Sequence, residues 1–117
     1  MPTREEIVAN YLDAQKSQDE SKVKAASEAL ADGAVLVSPR GNVEGRDAIV
    51  ERLRNPGQAK MLLDRLTWGA PETASESALK VKAELPAGLP IPIQEFSTTF
   101  HFGAGDKIEK VEVVLQR

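Results

Sequence analysis

The stretch Leu30–Leu53, LADGAVLVSPRGNVEGRDAIVERL, carries the clearest information about the fold. Because turn-forming residues separate its apolar segments, it predicts the end of one helix, a short strand pair and the start of another helix. A strand is predicted over Ala34–Ser38, and the chain returns through Val43-Glu44. The predicted boundaries are a helix end near Ala31, turns at Asp32-Gly33 and Pro39–Asn42, and a helix start at Gly45–Asp47.

The composition limits the classes of protein and site to be considered. Of 117 residues, 41% are hydrophobic and 28% are charged, and the formal net charge is −3. We therefore expect one domain, residues 1–117, with a single core. Lys and Arg are scattered, which argues against a nucleic-acid partner. The absence of cysteine excludes disulfides, thiol nucleophiles and cysteine-ligated metals, and one histidine cannot make the usual metal-binding sets, so no metal or cofactor is expected.

The sequence has the pattern of neither a membrane-spanning helix nor an export signal. No apolar run reaches the ~18–20 residues that a membrane-spanning helix needs. The first segment, MPTREEIVANYL, has early acidic residues and lacks the apolar region of a signal peptide. We expect a cytoplasmic protein with no membrane partner.

Three helices are predicted. Thr3 and Glu6 have the spacing of a capping box at the start of the first helix. Apolar residues then recur at helical spacing, and the last helix stops at Asn55-Pro56-Gly57. The predicted helices are Thr3 to about Ser17, Ser21 to Ala31 and Asp47 to Arg54.

The second half of the chain has the alternating pattern of strands. Apolar and polar residues alternate most clearly over Ser77–Leu85 and again over Gln94–Phe102, which places Phe96, Thr98 and Phe100 on one face. The predicted segments are a strand at Met61–Ala70, an interruption at Pro71–Thr73, a strand at Ser77–Leu85, a loop at Pro86–Pro92, a strand at Gln94–Phe102, a hairpin turn at Gly103–Asp106 and a strand at Lys107–Leu115. Early helices followed by antiparallel strands indicate an α+β domain.

This order of elements resembles the nuclear transport factor 2-like superfamily, which includes ketosteroid isomerases and polyketide-cyclase-like, SnoaL-like proteins. The motifs that carry the resemblance are ALADGAVLVSPRG followed by VEGRDAI, and FHFGAGDKIEKVEV near the end. The resemblance implies a cone in which three N-terminal helices pack on a strongly curved, mainly antiparallel sheet. It also implies a pocket at the open end of the cone.

In the ketosteroid isomerase branch, a tyrosine and a protonated acid form an oxyanion hole, and a second carboxylate moves the proton. The resemblance places Tyr11 at the tyrosine position. It places Ser38 and Thr98 where the two acids would stand. A serine hydroxyl does not remove a proton from carbon without activation. By alternation His101 faces away from Thr98, so a classical ketosteroid isomerase activity is not expected and no catalytic residue is assigned.

We therefore predict a binding protein for a small hydrophobic molecule, without general-base chemistry. For each candidate the alternative is a structural role: Tyr11 at the edge of the core, Ser38 and Thr98 as small fillers, and Trp68 as core. The candidate ligand-binding residues are Tyr11, Gln15, Leu36, Ser38, Trp68, Phe96, Thr98 and Phe100. Gln94 is a further polar candidate, and Arg46 is expected to open the third helix and not to bind an anion.

Two other functions stay open from the sequence. One is an isomerase, cyclase or hydrolase that uses a different acid, Asp64 or Asp13. The other is a non-catalytic dimerisation module. In relatives the outer face of the sheet often forms dimers, and we expect a homodimer through that face here, with Val111, Val113 or their neighbours adding apolar area.

Overall fold

The computed structural model describes residues 3–39, 41–55, 57, 66–84 and 95–116. These residues form three helices and seven strands. The helices are α1 (Arg4–Ser17), α2 (Glu20–Ala29) and α3 (Arg46–Arg54). The strands are β1 (Leu30–Ser38), β2 (Gly41–Glu44), β3 (Thr67–Trp68), β4 (Glu72–Ser75), β5 (Ala78–Glu84), β6 (Glu95–Phe102) and β7 (Ile108–Gln116).

The starts of α1 and α2 are fixed by side-chain caps. The backbone N–H of Glu6 donates to the Thr3 hydroxyl at 3.1 Å, and the Thr3 N–H donates to the Glu6 carboxylate, which confirms the predicted capping box. Asp19 caps α2 by accepting hydrogen bonds from the hydroxyl and the backbone N–H of Ser21, at 2.6 and 2.8 Å. These bonds lower the pKa of the Asp19 carboxyl, because they stabilise its charged form.

The first strand is longer than predicted, and the predicted turn at Asp32-Gly33 is wrong. Helix α2 ends at Ala29, and both turn residues lie inside β1. Leu30 pairs with Ile108 and Val35 pairs with Lys110, so a register shift separates the two contacts. Parallel pairing with β7 draws this segment into the sheet, and a bulge accommodates the extra residues that read locally as a turn.

The segment before β5 also differs from the prediction. Of the predicted strand at 61–70, residues 61–65 lie outside the described residues and only Thr67–Trp68 is strand. The predicted interruption is wrong at Glu72 and Thr73, which belong to β4. Both short strands pair antiparallel with β5. Pro71 lies just before β4, a position where its missing N–H disturbs no ladder. The predicted loop at 86–92 and the candidate Gln94 lie outside the described residues.

The strands form one mixed sheet in the order β2-β1-β7-β6-β5-β3, with β4 also paired to β5. Within the described part of the chain, only the β1–β7 pairing is parallel. The 3₁₀ turn Ala104–Asp106 joins β6 to β7, as the predicted hairpin requires. The α+β class and the mainly antiparallel sheet are therefore confirmed.

The main core lies between the helices and one face of the sheet. It combines Val8, Tyr11 and Leu12 of α1 with Val81 and Phe100 of the sheet, among others. Val111 is fully buried in this core and Val113 packs against it, so neither adds apolar area to the outer face, and of the residues in that expectation it is the neighbouring Val114 that is exposed. No helix in the described ranges has the length and apolarity needed to cross a membrane.

Arg4 ties the start of α1 to two turns of the sheet. Its guanidinium donates to the Asp106 carboxylate and to the Glu76 carbonyl oxygen, each at 2.9 Å. It also lies over the Phe102 ring, 5.1 Å from the ring centroid. The helix is therefore fixed at one end against the sheet, which sets the position of Tyr11 two turns further along.

Candidate functional site

The first part of the site is a contact between α1 and the centre of the sheet. The rings of Tyr11 and Phe100 meet edge to face, with centroids 5.1 Å apart and an interplanar angle of 77°. Tyr11 is 2% exposed and Phe100 is fully buried. Burial raises the pKa of the Tyr11 phenol, because it disfavours the phenolate. The hydroxyl is therefore protonated near neutral pH and is able to donate a hydrogen bond.

A second hydroxyl lies on the same face of β6. Thr98 is two residues before Phe100, and residues at this spacing project to one side of a strand. It is 1% exposed and is paired across the sheet with Val81 and Val113. Tyr11 and Thr98 therefore place two hydroxyl-bearing side chains in the buried interior on this side of the sheet.

An aromatic cluster extends the apolar surface along the sheet. Phe96 pairs with Ala83, and Ala83 pairs with Trp68, so the three form one row across β6, β5 and β3. The rings of Phe96 and Trp68 lie 5.6 Å apart at 67°. Leu66 and Phe96 are buried, while Trp68 is half-buried and packs against both this cluster and the main core. Trp68 therefore connects the two apolar regions.

The other predicted residues have different surroundings. Leu36 is buried in the same core as Tyr11 and Phe100. The Ser38 hydroxyl donates to the Gly41 carbonyl oxygen at 2.8 Å, within the β1–β2 hairpin, so its single hydrogen is already engaged. Gln15 is half-buried, and its backbone carbonyl accepts from the Gln18 side chain at 2.6 Å. The roles of Ser38 and Gln15 in a ligand site stay predictions.

The interior described here is chemically neutral. Ser97 and Thr98 are the only polar or charged side chains among the described residues that are buried. His101 is half-buried and lies 3.3 Å from the Glu112 carboxylate on the neighbouring strand. Asp64, the alternative acid, lies outside the described residues. Arg46 pairs with Asp32 at 2.8 Å and opens α3, in line with the structural role predicted for it.

The sequence did not indicate a groove that runs beside α1. Its volume is about 220 Å³, and it lies between one face of the helix and the segment around Trp68. The sequence pattern identifies Val8 and Leu12 as apolar helix positions and Trp68 as an apolar strand position. Their approach to one another depends on tertiary packing, for which the local pattern carries no signal. The lining residues are Glu5, Val8, Ala9, Leu12, Asp13, Trp68, Gly69 and Pro71.

Comparisons with known proteins identify the fold. No protein-family model and no curated protein matches the sequence. A SnoaL-like protein of unknown function from Burkholderia thailandensis is similar with a TM-score of 0.66, at 19% identity over 94% of this chain and 92% of that one. An NTF2-like protein of unknown function from Cytophaga hutchinsonii is similar with a TM-score of 0.64, at 14% identity over 99% and 92% of the two chains.

Another similar structure is that of an enzyme. SalBIII, described as an epoxide hydrolase/cyclase-like enzyme with a role in pyran ring formation in the polyether salinomycin, has a TM-score of 0.63 at 19% identity, over 96% of this chain and 89% of that one. The chain therefore has the nuclear transport factor 2-like fold, as the resemblance predicted. At these identities the likeness concerns the fold and not an activity.

Proposed function

We propose that this protein binds a small, mostly apolar molecule with one polar acceptor group, in the interior between α1 and the sheet. The apolar surface would be supplied by Leu36, Trp68, Phe96 and Phe100. Tyr11 and Thr98 would donate hydrogen bonds to the acceptor. The observation that carries the proposal is the burial of two hydroxyl-bearing side chains, Tyr11 and Thr98, in an apolar interior. A hydroxyl is a hydrogen-bond donor, so each of these side chains would be able to bond a carbonyl or ether oxygen on a ligand.

The same interior supports binding without general-base chemistry. Removal of a proton from carbon needs a positioned base, which contributes about 10²- to 10⁴-fold in rate. Among the described residues no carboxylate or imidazole is buried beside Tyr11. A neutral phenol and a neutral threonine hydroxyl orient an acceptor group but do not take its protons.

Two variants test the proposal by calorimetric titration with acetylnaphthalene, a neutral aromatic ketone. Tyr11→Phe and Thr98→Val each remove one hydroxyl with little change in shape. We expect each variant to bind the ketone about 2- to 10-fold more weakly, which corresponds to the loss of one hydrogen bond. Ethylnaphthalene, which has the same ring system without the carbonyl, should bind all three proteins alike.

Thr99→Val is the matched control, because Thr99 is the next residue on β6 and points to the opposite face. It should leave binding of the ketone unchanged. The proposal is overturned if the wild-type protein fails to bind the ketone. It is also overturned if the ketone and the hydrocarbon respond alike to the loss of both hydroxyls.

A second candidate is an enzyme of the isomerase, cyclase or hydrolase type. The likeness in fold to SalBIII favours it. Such an enzyme needs an acid near its substrate, and the candidates are Asp13 and Asp64. The Asp13 side chain is 61% exposed and lies at the groove beside α1. Loss of a detected turnover in Asp13→Asn or Asp64→Asn, with ketone binding intact, would favour this enzyme over a pure binding protein.

We also propose that two copies pair through the outer face of the sheet. This face carries Thr99, His101 and Glu112, and its apolar contribution is Val114. Val114 is 36% exposed, and no other large hydrophobic side chain among the described residues is exposed to this extent. The contact between the His101 ring and the Glu112 carboxylate crosses from β6 to β7 on this face, so the proposed interface would contain both polar and apolar groups.

A further inference from the structure

The helical wall of the groove beside α1 has apolar side chains in its middle and an acidic side chain at each end. Its helical wall consists of residues 5, 8, 9, 12 and 13, the i, i+3, i+4, i+7, i+8 spacing of one continuous helix face. Val8 and Leu12 are buried in the middle of this face. Glu5 and Asp13 stand at its two ends, eight residues apart, which is about 12 Å along a helix axis.

The opposite wall is apolar and aromatic. Trp68, Gly69 and Pro71 form it, and Trp68 is half-buried. The face of an indole ring attracts organic cations as well as apolar groups. The groove therefore has an apolar floor, an aromatic wall and a carboxylate at each end.

The two carboxylates are weakly neutralised by the protein. No basic side chain in the described ranges forms an ion pair with Glu5. The cation paired with Asp13 is Lys22, whose Nζ is 3.9 Å from the carboxylate, at the limit of an ion pair. Lys22 also donates to the Asn10 side chain at 3.2 Å. Both ends of the groove thus keep negative charge that a ligand is able to match.

We propose that this groove binds an elongated organic dication, an apolar chain or ring system with an ammonium group at each end. The apolar body would lie on Ala9 and Leu12 against Trp68, and the ammonium groups would pair with Glu5 and Asp13. This site shares Trp68 with the neutral interior proposed above, but its two carboxylates, Glu5 and Asp13, belong to the groove alone. Each of the two proposals stands or falls without the other.

The test compares octamethylenediamine with octamethylene glycol, which has the same chain length and apolar body but no charge. Trp68 is the only tryptophan of the chain and lines the groove, so its fluorescence responds to a ligand bound against its ring. Calorimetry measures the affinity independently. We expect the diamine to bind more tightly than the diol. Added salt should weaken the diamine alone, because exposed ion pairs are screened.

Charge-neutralising variants locate the ammonium groups. Glu5→Gln and Asp13→Asn should each weaken the diamine by about 1.5- to 5-fold, the range of exposed ion pairs, and the double variant should bind diamine and diol alike. Glu28→Gln, on the exposed surface of α2 and away from the groove, is the control and should change nothing. Absence of diamine binding to the wild-type protein, or equal diamine affinity in the double variant, overturns the proposal.

Discussion

At the scale of the residue, Tyr11 offers a test that needs no ligand. Burial raises the pKa of its phenol in the folded protein, whereas an unfolded tyrosine titrates near pH 10. Above about pH 10 the unfolded chain therefore binds fewer protons than the folded one, and stability falls as pH rises. Relative to Tyr11→Phe, the wild-type protein should lose up to about 1.4 kcal/mol of stability per pH unit in this range.

Urea unfolding of both proteins between about pH 8 and pH 11 measures this difference, and lysine titration cancels because it is common to both. Tyr11 is the only tyrosine, so tyrosinate absorbance follows this phenol alone. The absorbance should appear together with unfolding. Tyrosinate forming with a midpoint near pH 10 in a protein that is still folded would contradict the burial of this hydroxyl.

The residues of the site differ in how far the sequence predicts them. Phe96, Thr98 and Phe100 follow from the alternation of β6, because one buried face dictates every second side chain. Ser38 shows where prediction from the sequence stops. Its hydroxyl donates to the Gly41 carbonyl oxygen, and that contact depends on the geometry of the hairpin. Trp68 is readable as apolar, but its second role at the groove depends on how α1 lies beside it.

At the scale of the element, Gly45 controls the start of α3. Its φ is +96° and its ψ is 145°, a backbone conformation that residues other than glycine rarely adopt. Its N–H donates to the Ala34 carbonyl oxygen at 2.8 Å. Gly45→Ala should therefore cost about 1–3 kcal/mol of unfolding free energy through backbone strain alone, because open space surrounds the new Cβ.

Gly33→Ala is the matched control for this substitution. Its Cβ also meets nothing within 4 Å, and its φ is not in the left-handed region. It should be neutral or slightly stabilising, since alanine restricts the unfolded chain. Thermal and urea unfolding of the two variants give the comparison. Equal stabilities would show that the backbone at Gly45 is not strained by a side chain.

The elements themselves separate into those set locally and those set by pairing. Helix α1 and strands β5 and β6 carry their own signals, a capping box in the first and strict alternation in the others. Strand β4 and the first half of β1 contain turn-like residues, and they are strands because β5 and β7 offer partners. Propensity is a weak guide at such edges and bulges, where tertiary contacts decide.

At the scale of the whole molecule, element order was enough to predict the α+β class, because early helices must cover one face of a late antiparallel sheet. The other face is where the proposed dimer is tested. Val114 on this face is partly exposed, and a lysine there would place a charge at the centre of an interface between two copies. We expect the wild-type protein to sediment as a dimer at tens of micromolar.

Val114→Lys should shift that equilibrium to the monomer while leaving the circular dichroism spectrum unchanged. Ala48→Lys adds the same charge on the exposed surface of α3 and should remain dimeric. Because His101 and Glu112 lie on the same sheet face as Val114, Glu112→Gln should weaken the dimer less than Val114→Lys, since it keeps the shape and introduces no new charge. A wild-type monomer at tens of micromolar would rule out this interface.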